Sequence, residues 1–182
     1  MKKTVLALVA ALALVACDCN TKPARAAEGD SWVKAHFMSR HIGGSGTWWD
    51  DNYEEHKWNE FNPGLGYAYE FVDTIELTAG LYENSHNELS LYAGAKWHTG
   101  YHRFLDFGVT VGLVSGYEVT QQVDTPVTAF ILPELSFRLA DFKRGDAPNL
   151  HVRLDIGYVP AINIGQEGEA TAVMTGTIRV KF

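Results

Sequence analysis

Two short stretches carry the residue types of hydroxyl-based acyl transfer. Ser39-Arg40-His41 supplies an imidazole, and Tyr82-Glu83-Asn84-Ser85-His86-Asn87 supplies a hydroxyl at Ser85, with an amide at Asn84 and a carboxylate at Glu83 beside it. A histidine within reach of a serine is a base for its proton, and Asn84 or Glu83 would orient the ring. The same residue types crowd surface turns, because short polar side chains bond to their own loop backbone. Spacing alone leaves a solvated loop and an active site both open; whether the two stretches meet depends on the elements that carry them.

Those elements read as strands. From Trp32 onward, eight segments alternate with a period of two between an apolar face and a mixed or polar one, the signal of a transmembrane barrel strand. The last is the clearest: Ala170, Ala172, Met174, Gly176, Ile178, Val180 and Phe182 fall on one parity, and Thr171, Thr175, Thr177, Arg179 and Lys181 on the other. The seventh sets Leu150, Val152, Leu154, Ile156 and Tyr158 against His151, Arg153, Asp155 and Gly157. The sixth sets Val127, Ala129, Ile131, Leu135, Phe137 and Leu139 against Thr128, Glu134, Ser136 and Arg138. Charges on the second face require a wet or paired interior. Segments near Trp32–Ser39, Gly64–Phe71, Ile75–Tyr82, Leu89–Trp97 and Phe104–Val114 keep the period less regularly. The expected fold is all-β, an eight-stranded antiparallel transmembrane β-barrel, since closure satisfies every backbone group in lipid.

If the chain enters from the periplasm, the connections after the first, third, fifth and seventh strands face outward, which places Ser39-Arg40-His41 and Tyr82–Asn87 at the same end. The long 43–62 and 115–126 stretches fall in this set. Val72–Thr74 and His98–Arg103 are the short periplasmic turns expected of such barrels, while 140–149 is longer than the rule. Trp32, Trp97, Tyr101 and Tyr158 near strand ends suit interfacial girdles.

Composition narrows the class. The chain has 182 residues. Lys2 and Lys3, the apolar run Val5 to Ala16 and small residues around Ala24-Arg25-Ala26 form the three parts of an export signal over residues 1–26, leaving 27–182 as one barrel domain. Leu14-Val15-Ala16-Cys17 resembles a lipobox, the alternative processing site, ending the leader before Cys17. Cleavage after Ala26 discards Cys17 and Cys19 and, with them, thiol chemistry. The apolar run is too short to span a bilayer as a helix. Removing Lys2, Lys3, Lys22, Arg25 and Asp18 takes 15 basic and 22 acidic side chains to 11 and 21, a balance that argues against nucleic acid. No metal-ligand or phosphate-loop pattern is present.

Five pieces in register resemble one family. Tyr82-Glu83-Asn84-Ser85, followed by Tyr92-Ala93-Gly94 and Trp97, is similar to the aromatic-Lys-Asp-Ser segment, with its downstream Ala-Gly and Trp, of the lipid A palmitoyltransferases (PagP) of Gram-negative outer membranes. Asn59-Glu60 before Pro63-Gly64-Leu65-Gly66, Ile131-Leu132-Pro133-x-x-Ser136, Tyr158-Val159-Pro160 and the terminal Phe182 resemble further family features in the same order. The resemblance implies an outer-membrane enzyme that moves a palmitoyl chain from a phospholipid to lipid A, a monomer without a cofactor. It implies a histidine at the outer end of the first strand and an Asp-Ser pair at the outer end of the third. Ser85 matches the serine. His41 is the preferred base, and His36, in a more aromatic setting and inward by parity, is its alternative.

Two departures stand out. Asn84 replaces the family's Asp, and an amide cannot supply the charge that stabilises an imidazolium, although it can fix a tautomer. Lys96 aligns with the glycine at the floor of the acyl pocket, where an ammonium would shorten or abolish the tunnel unless paired with Glu70, Glu76, Glu134 or Asp155. Pro133 and Pro160 each lack an N–H and are read inside adjacent strands, which weakens pairing there and, by the resemblance, opens a lateral lipid entrance. The expectation is an acyltransferase with His41, Asn84 and Ser85 as its machinery and Lys96, Pro133 and Pro160 along its substrate path. The rivals are a non-catalytic barrel acting in envelope stability or surface recognition, and a lipid A deacylase.

Overall fold

The computed structural model describes residues 28–43, 47–49, 54–100, 104–116, 127–144, 147–160 and 172–181. The residues expected to form a leader, with both candidate processing sites and the two cysteines, together with Tyr101, the 117–126 stretch and Phe182, lie outside them. The strands are β1 (Ser31–Ile42), β2 (Thr47–Trp49), β3 (Glu55–Lys57), β4 (Gly64–Val72), β5 (Ile75–Glu83), β6 (Leu89–His98), β7 (Leu105–Ser115), β8 (Val127–Arg144), β9 (Ala147–Val159) and β10 (Ala172–Lys181). Eight of them close an antiparallel barrel in the order β1-β10-β9-β8-β7-β6-β5-β4, while β2 and β3 form a separate hairpin. That hairpin, inside the long stretch after the first barrel strand, is not legible as alternation because each arm is three residues long.

The faces are inverted relative to a soluble barrel. Leu65, Leu91, Leu113 and Ile131 are each more than half exposed, whereas Lys34, Glu70, Glu76, Lys96, Asp155 and Arg179 are buried inside. An apolar exterior around a charged, mutually paired interior is the arrangement that suits lipid outside. Eight strands enclose an interior just wide enough for side chains to fill. Trp97 and Tyr158 face outward as expected, but Trp32 does not join the girdle. It shares the inward parity of Lys34, donates Nε1–H to Glu70 at 3.2 Å and lies under Arg179 at 4.2 Å.

Bulges explain the other departures from simple alternation. One between His36 and Met38 in β1 flips parity, so buried Ser39 follows the inward series Trp32, Lys34, His36. Two more, at Arg138/Ala140 and Phe142/Arg144, carry β8 and β9 on to the pair Arg144↔Ala147, so the supposedly long 140–149 turn is mostly strand.

Strand pairing stops early at two seams. β1 pairs with β4 only from Ser31↔Tyr69 to His36↔Gly64. β8 pairs with β9 only from Glu134↔Gly157 onward, although β8 stays paired with β7 up to Val127. Pro133 sits at that boundary. Pro160 does not lie inside a strand as expected: it is exposed and just past the end of β9, whose pairing with β10 runs to Val159↔Val173.

Candidate functional site

The end of the barrel carrying the β1–β2 connection and the β5–β6 turn gathers His41, Asn84 and Ser85. Asn84 organises that turn. Its Oδ1 accepts the backbone N–H groups of His86 at 2.8 Å and Glu88 at 3.0 Å, and its carbonyl accepts from Asn87, which holds φ 64°. The asparagine-rich segment folds this way because a short amide reproduces a backbone turn. The amide nitrogen donates to Ser90 Oγ at 3.1 Å and to the carbonyl of Gly116, at the end of β7, at 2.6 Å. Gly116 has φ +81°, and a Cβ there would come within 2.7 Å of Ser90 Oγ. Asn84 is fully buried with two donors and its acceptor in use, and none of these bonds goes to an imidazole ring.

Ser85 is also buried. Its Oγ lies 3.2 Å from Ser39 Oγ, which donates to Asn62 Oδ1 at 2.5 Å; Asn62 in turn donates to the Glu83 carbonyl at 2.9 Å. Ser39 and Asn62 are partners that spacing did not single out, although both stand in segments of interest, Ser39 two residues before His41 and Asn62 beside Pro63. The limb entering β4 is stapled down by backbone bonds from Asn59 N to Ser85 O at 2.9 Å and from Ser39 N to Glu60 O at 3.2 Å.

His41 stacks on Trp58, with ring centroids 4.2 Å apart and planes at 11°. Trp58 also meets His86, with ring centroids 5.3 Å apart. Nδ1 of His41 is buried without a hydrogen-bond partner, and no hydrogen bond joins His41 to Ser85 or Asn84. Burial holds His86, in the turn, below the ordinary imidazole range, with Glu88 acting in the opposite direction. His36 faces inward as its parity implied, its two ring nitrogens 2.9 Å from Thr177 Oγ1 and 2.8 Å from Tyr92 Oη.

The interior next to this end is occupied. Files of glycine make room for larger rings and branches. A Cβ on Gly80 would fall 2.7 Å from Tyr92 Cε1, one on Gly112 2.9 Å from Phe130 Cε1, and one on Gly157 2.8 Å from Leu132 Cδ1. Farther in, Lys96 Nζ meets Asp155 at 3.2 Å, Glu134 at 3.4 Å and Ser136 Oγ at 3.3 Å. Two of the four acids expected as its partners are therefore its partners. Arg179 bonds Glu76 and lies 3.4 Å from Asp155; His98 Nε2 lies 2.9 Å from Glu70. Within this cluster carboxylates and cations are shared, which offsets the cost of burying them, while buried Lys34 lies 3.4 Å from the hydroxyl of Thr78. Among the described residues, no group of three or more His, Cys, Asp and Glu side chains could hold a metal ion.

The fold and its filled interior define a closed, eight-stranded antiparallel β-barrel with an apolar exterior. Solved structures of similar fold are the N-terminal beta-barrel domain of Pseudomonas aeruginosa OprF (12% identity, TM-score 0.45, covering 86% of this chain and 100% of that one), Neisserial surface protein A (13%, 0.41, 87% and 97%) and the Yersinia pestis outer membrane protein Ail (12%, 0.36, 84% and 99%). No family model and no curated protein matches the chain. Likenesses at this level assign no activity.

Proposed function

We propose that the chain is a bacterial outer-membrane barrel without acyl-transfer activity, serving the envelope through the surface it displays at its loop end. The observation that carries this reading is the occupied interior: Tyr92, Phe130 and Leu132 fill the space against the glycine files, and Lys96 with Glu134 and Asp155 fills the level below. An acyl tail descending from Ser85 would have to displace aromatic rings and then meet paired charges, whose separation leaves desolvated ions. The rim agrees. Ser85 bonds a serine, Asn84 spends its amide on the loop backbone, and the imidazole of His41 lies against an indole. The outer-membrane location is supported by the export signal in the sequence and by the apolar exterior.

A second reading, phospholipid-to-lipid A acyl transfer, is favoured by one observation: the outer part of β8 is unpaired toward β9 above Glu134, next to Pro133, where a lipid chain could enter sideways. Mass spectrometry of lipid A from cells with and without the protein separates the two. Unchanged lipid A supports the non-catalytic reading. An added acyl chain that disappears with Ser85→Ala would replace it with the transferase, and a lost acyl chain would point to a deacylase.

A further inference from the structure

Trp58 is held between two imidazoles from different elements, His41 at the end of β1 and His86 in the β5–β6 turn. It belongs to the limb Trp58–Pro63, which runs along the outer part of β1 where β4 no longer pairs with it. The same limb is tied by Asn59 N to Ser85 O, Ser39 N to Glu60 O, Glu83 N to Pro63 O at 3.0 Å, Asn59 Nδ2 to Glu83 Oε1 at 3.2 Å and the Ser39–Asn62–Glu83 chain. Under this limb lie the buried hydroxyls of Ser39 and Ser85.

We infer that the His41–Trp58–His86 stack is an acid-released latch that holds the Trp58–Pro63 limb over the seam between β1 and β4. The geometry gives the direction. Nδ1 of His41 is buried with no acceptor beside it, so the neutral ring costs less with its proton on Nε2 and Nδ1 bare. The imidazolium carries hydrogen on both nitrogens, so protonation places a buried donor where no acceptor waits, a costlier defect than an unused lone pair. The attraction of a cation for an indole face opposes this, but it is weak at partly exposed sites. Two imidazoliums on one indole would also repel each other. The groups acting on the latch are Glu60 of the limb and His86 on His41, and Glu88 of the turn on His86; Arg40 and Lys57 are exposed. The latch is therefore closed above the ordinary imidazole range of about 6.5 and is lost as pH falls below it.

The inference deepens the display surface proposed above, yet its test does not depend on lipid A. The full chain, labelled with 5-fluorotryptophan and folded in detergent micelles, is titrated from about pH 8 to about pH 5 by fluorine NMR, with Trp58→Phe assigning the resonance. The Trp58 signal is expected to shift with a midpoint below the ordinary imidazole range, while that of lipid-facing Trp97 stays in place. His41→Phe/His86→Phe, which keeps rings on both faces, should abolish the shift. A Trp58 signal that does not move in the wild type, or moves equally in the double variant, would overturn the latch. So would a nitrogen-15 titration of wild-type His41 with a midpoint at or above the ordinary range, a readout independent of whether the variants fold.

Discussion

Asn84 is the position where the sequence pattern and the structure ask for different side chains, and Asn84→Asp tests which governs. If a carboxylate were wanted to support an imidazolium, Asp would be neutral or better. The structure leads to the opposite expectation. Oδ1 can still accept from His86 and Glu88, and Ser90 can rotate its hydroxyl to donate. The Gly116 carbonyl cannot adapt: it receives an N–H at 2.6 Å and would instead face a carboxylate oxygen in a fully buried site. Leaving that acceptor unmet costs roughly 1–3 kcal/mol. With a urea dependence of about 1–3 kcal/mol per molar, the unfolding midpoint should fall by roughly 1 M. Unfolding of the purified barrel in detergent, followed by the mobility difference between folded and unfolded bands, measures it. Asn84→Ala, which loses all the side-chain bonds, should fall at least as far. An Asn84→Asp midpoint equal to that of the wild type would refute the reasoning.

Three further outcomes follow from the same geometry. Lys96→Met strips Asp155 and Glu134 of their ammonium and should destabilise the barrel by about 3–5 kcal/mol, with part recovered in Lys96→Met/Asp155→Asn; a wild-type urea midpoint in the single variant would contradict the ion cluster. Gly80→Ala places a Cβ 2.6 Å from the Leu65 carbonyl and 2.7 Å from Tyr92, an overpacking of about 1–3 kcal/mol, whereas Ala79→Val on the opposite, outward face should change the midpoint by no more than about 0.5 kcal/mol. An unheated sample should run differently on a gel from a boiled one, because the closed ladder resists detergent; a single mobility would count against closure.

The barrel was legible because lipid outside and charge inside force each strand to alternate. The segments read at Gly64–Phe71, Ile75–Tyr82 and Leu89–Trp97 each fall one residue short of the observed strand end. Alternation fails where a bulge changes the parity without changing composition. From Arg138 onward two bulges carry β8 and β9 through what reads as a turn, and in β1 one bulge puts Ser39 back on the inner side after His36. Trp32 shows a second limit. An aromatic residue near a strand end suits either a girdle or an interior ring, and only its parity with Lys34 decides for the interior.

The site was legible as a place and not as a mechanism. Strand count is enough to bring His41, Asn84 and Ser85 to one end, but the role of each depends on the partner of each polar atom, which residue type does not specify. An asparagine beside a serine looks the same whether its amide holds an imidazole or a glycine carbonyl. Here the carbonyl lies at 2.6 Å, and the serine hydroxyl turns to Ser39. Lys96 makes the same point from the interior. Read alone, its charge is an obstacle in an apolar pocket; with Glu134 at 3.4 Å and Asp155 at 3.2 Å it is a paired cation of the barrel interior, and only the partners, not the residue type, tell the two apart.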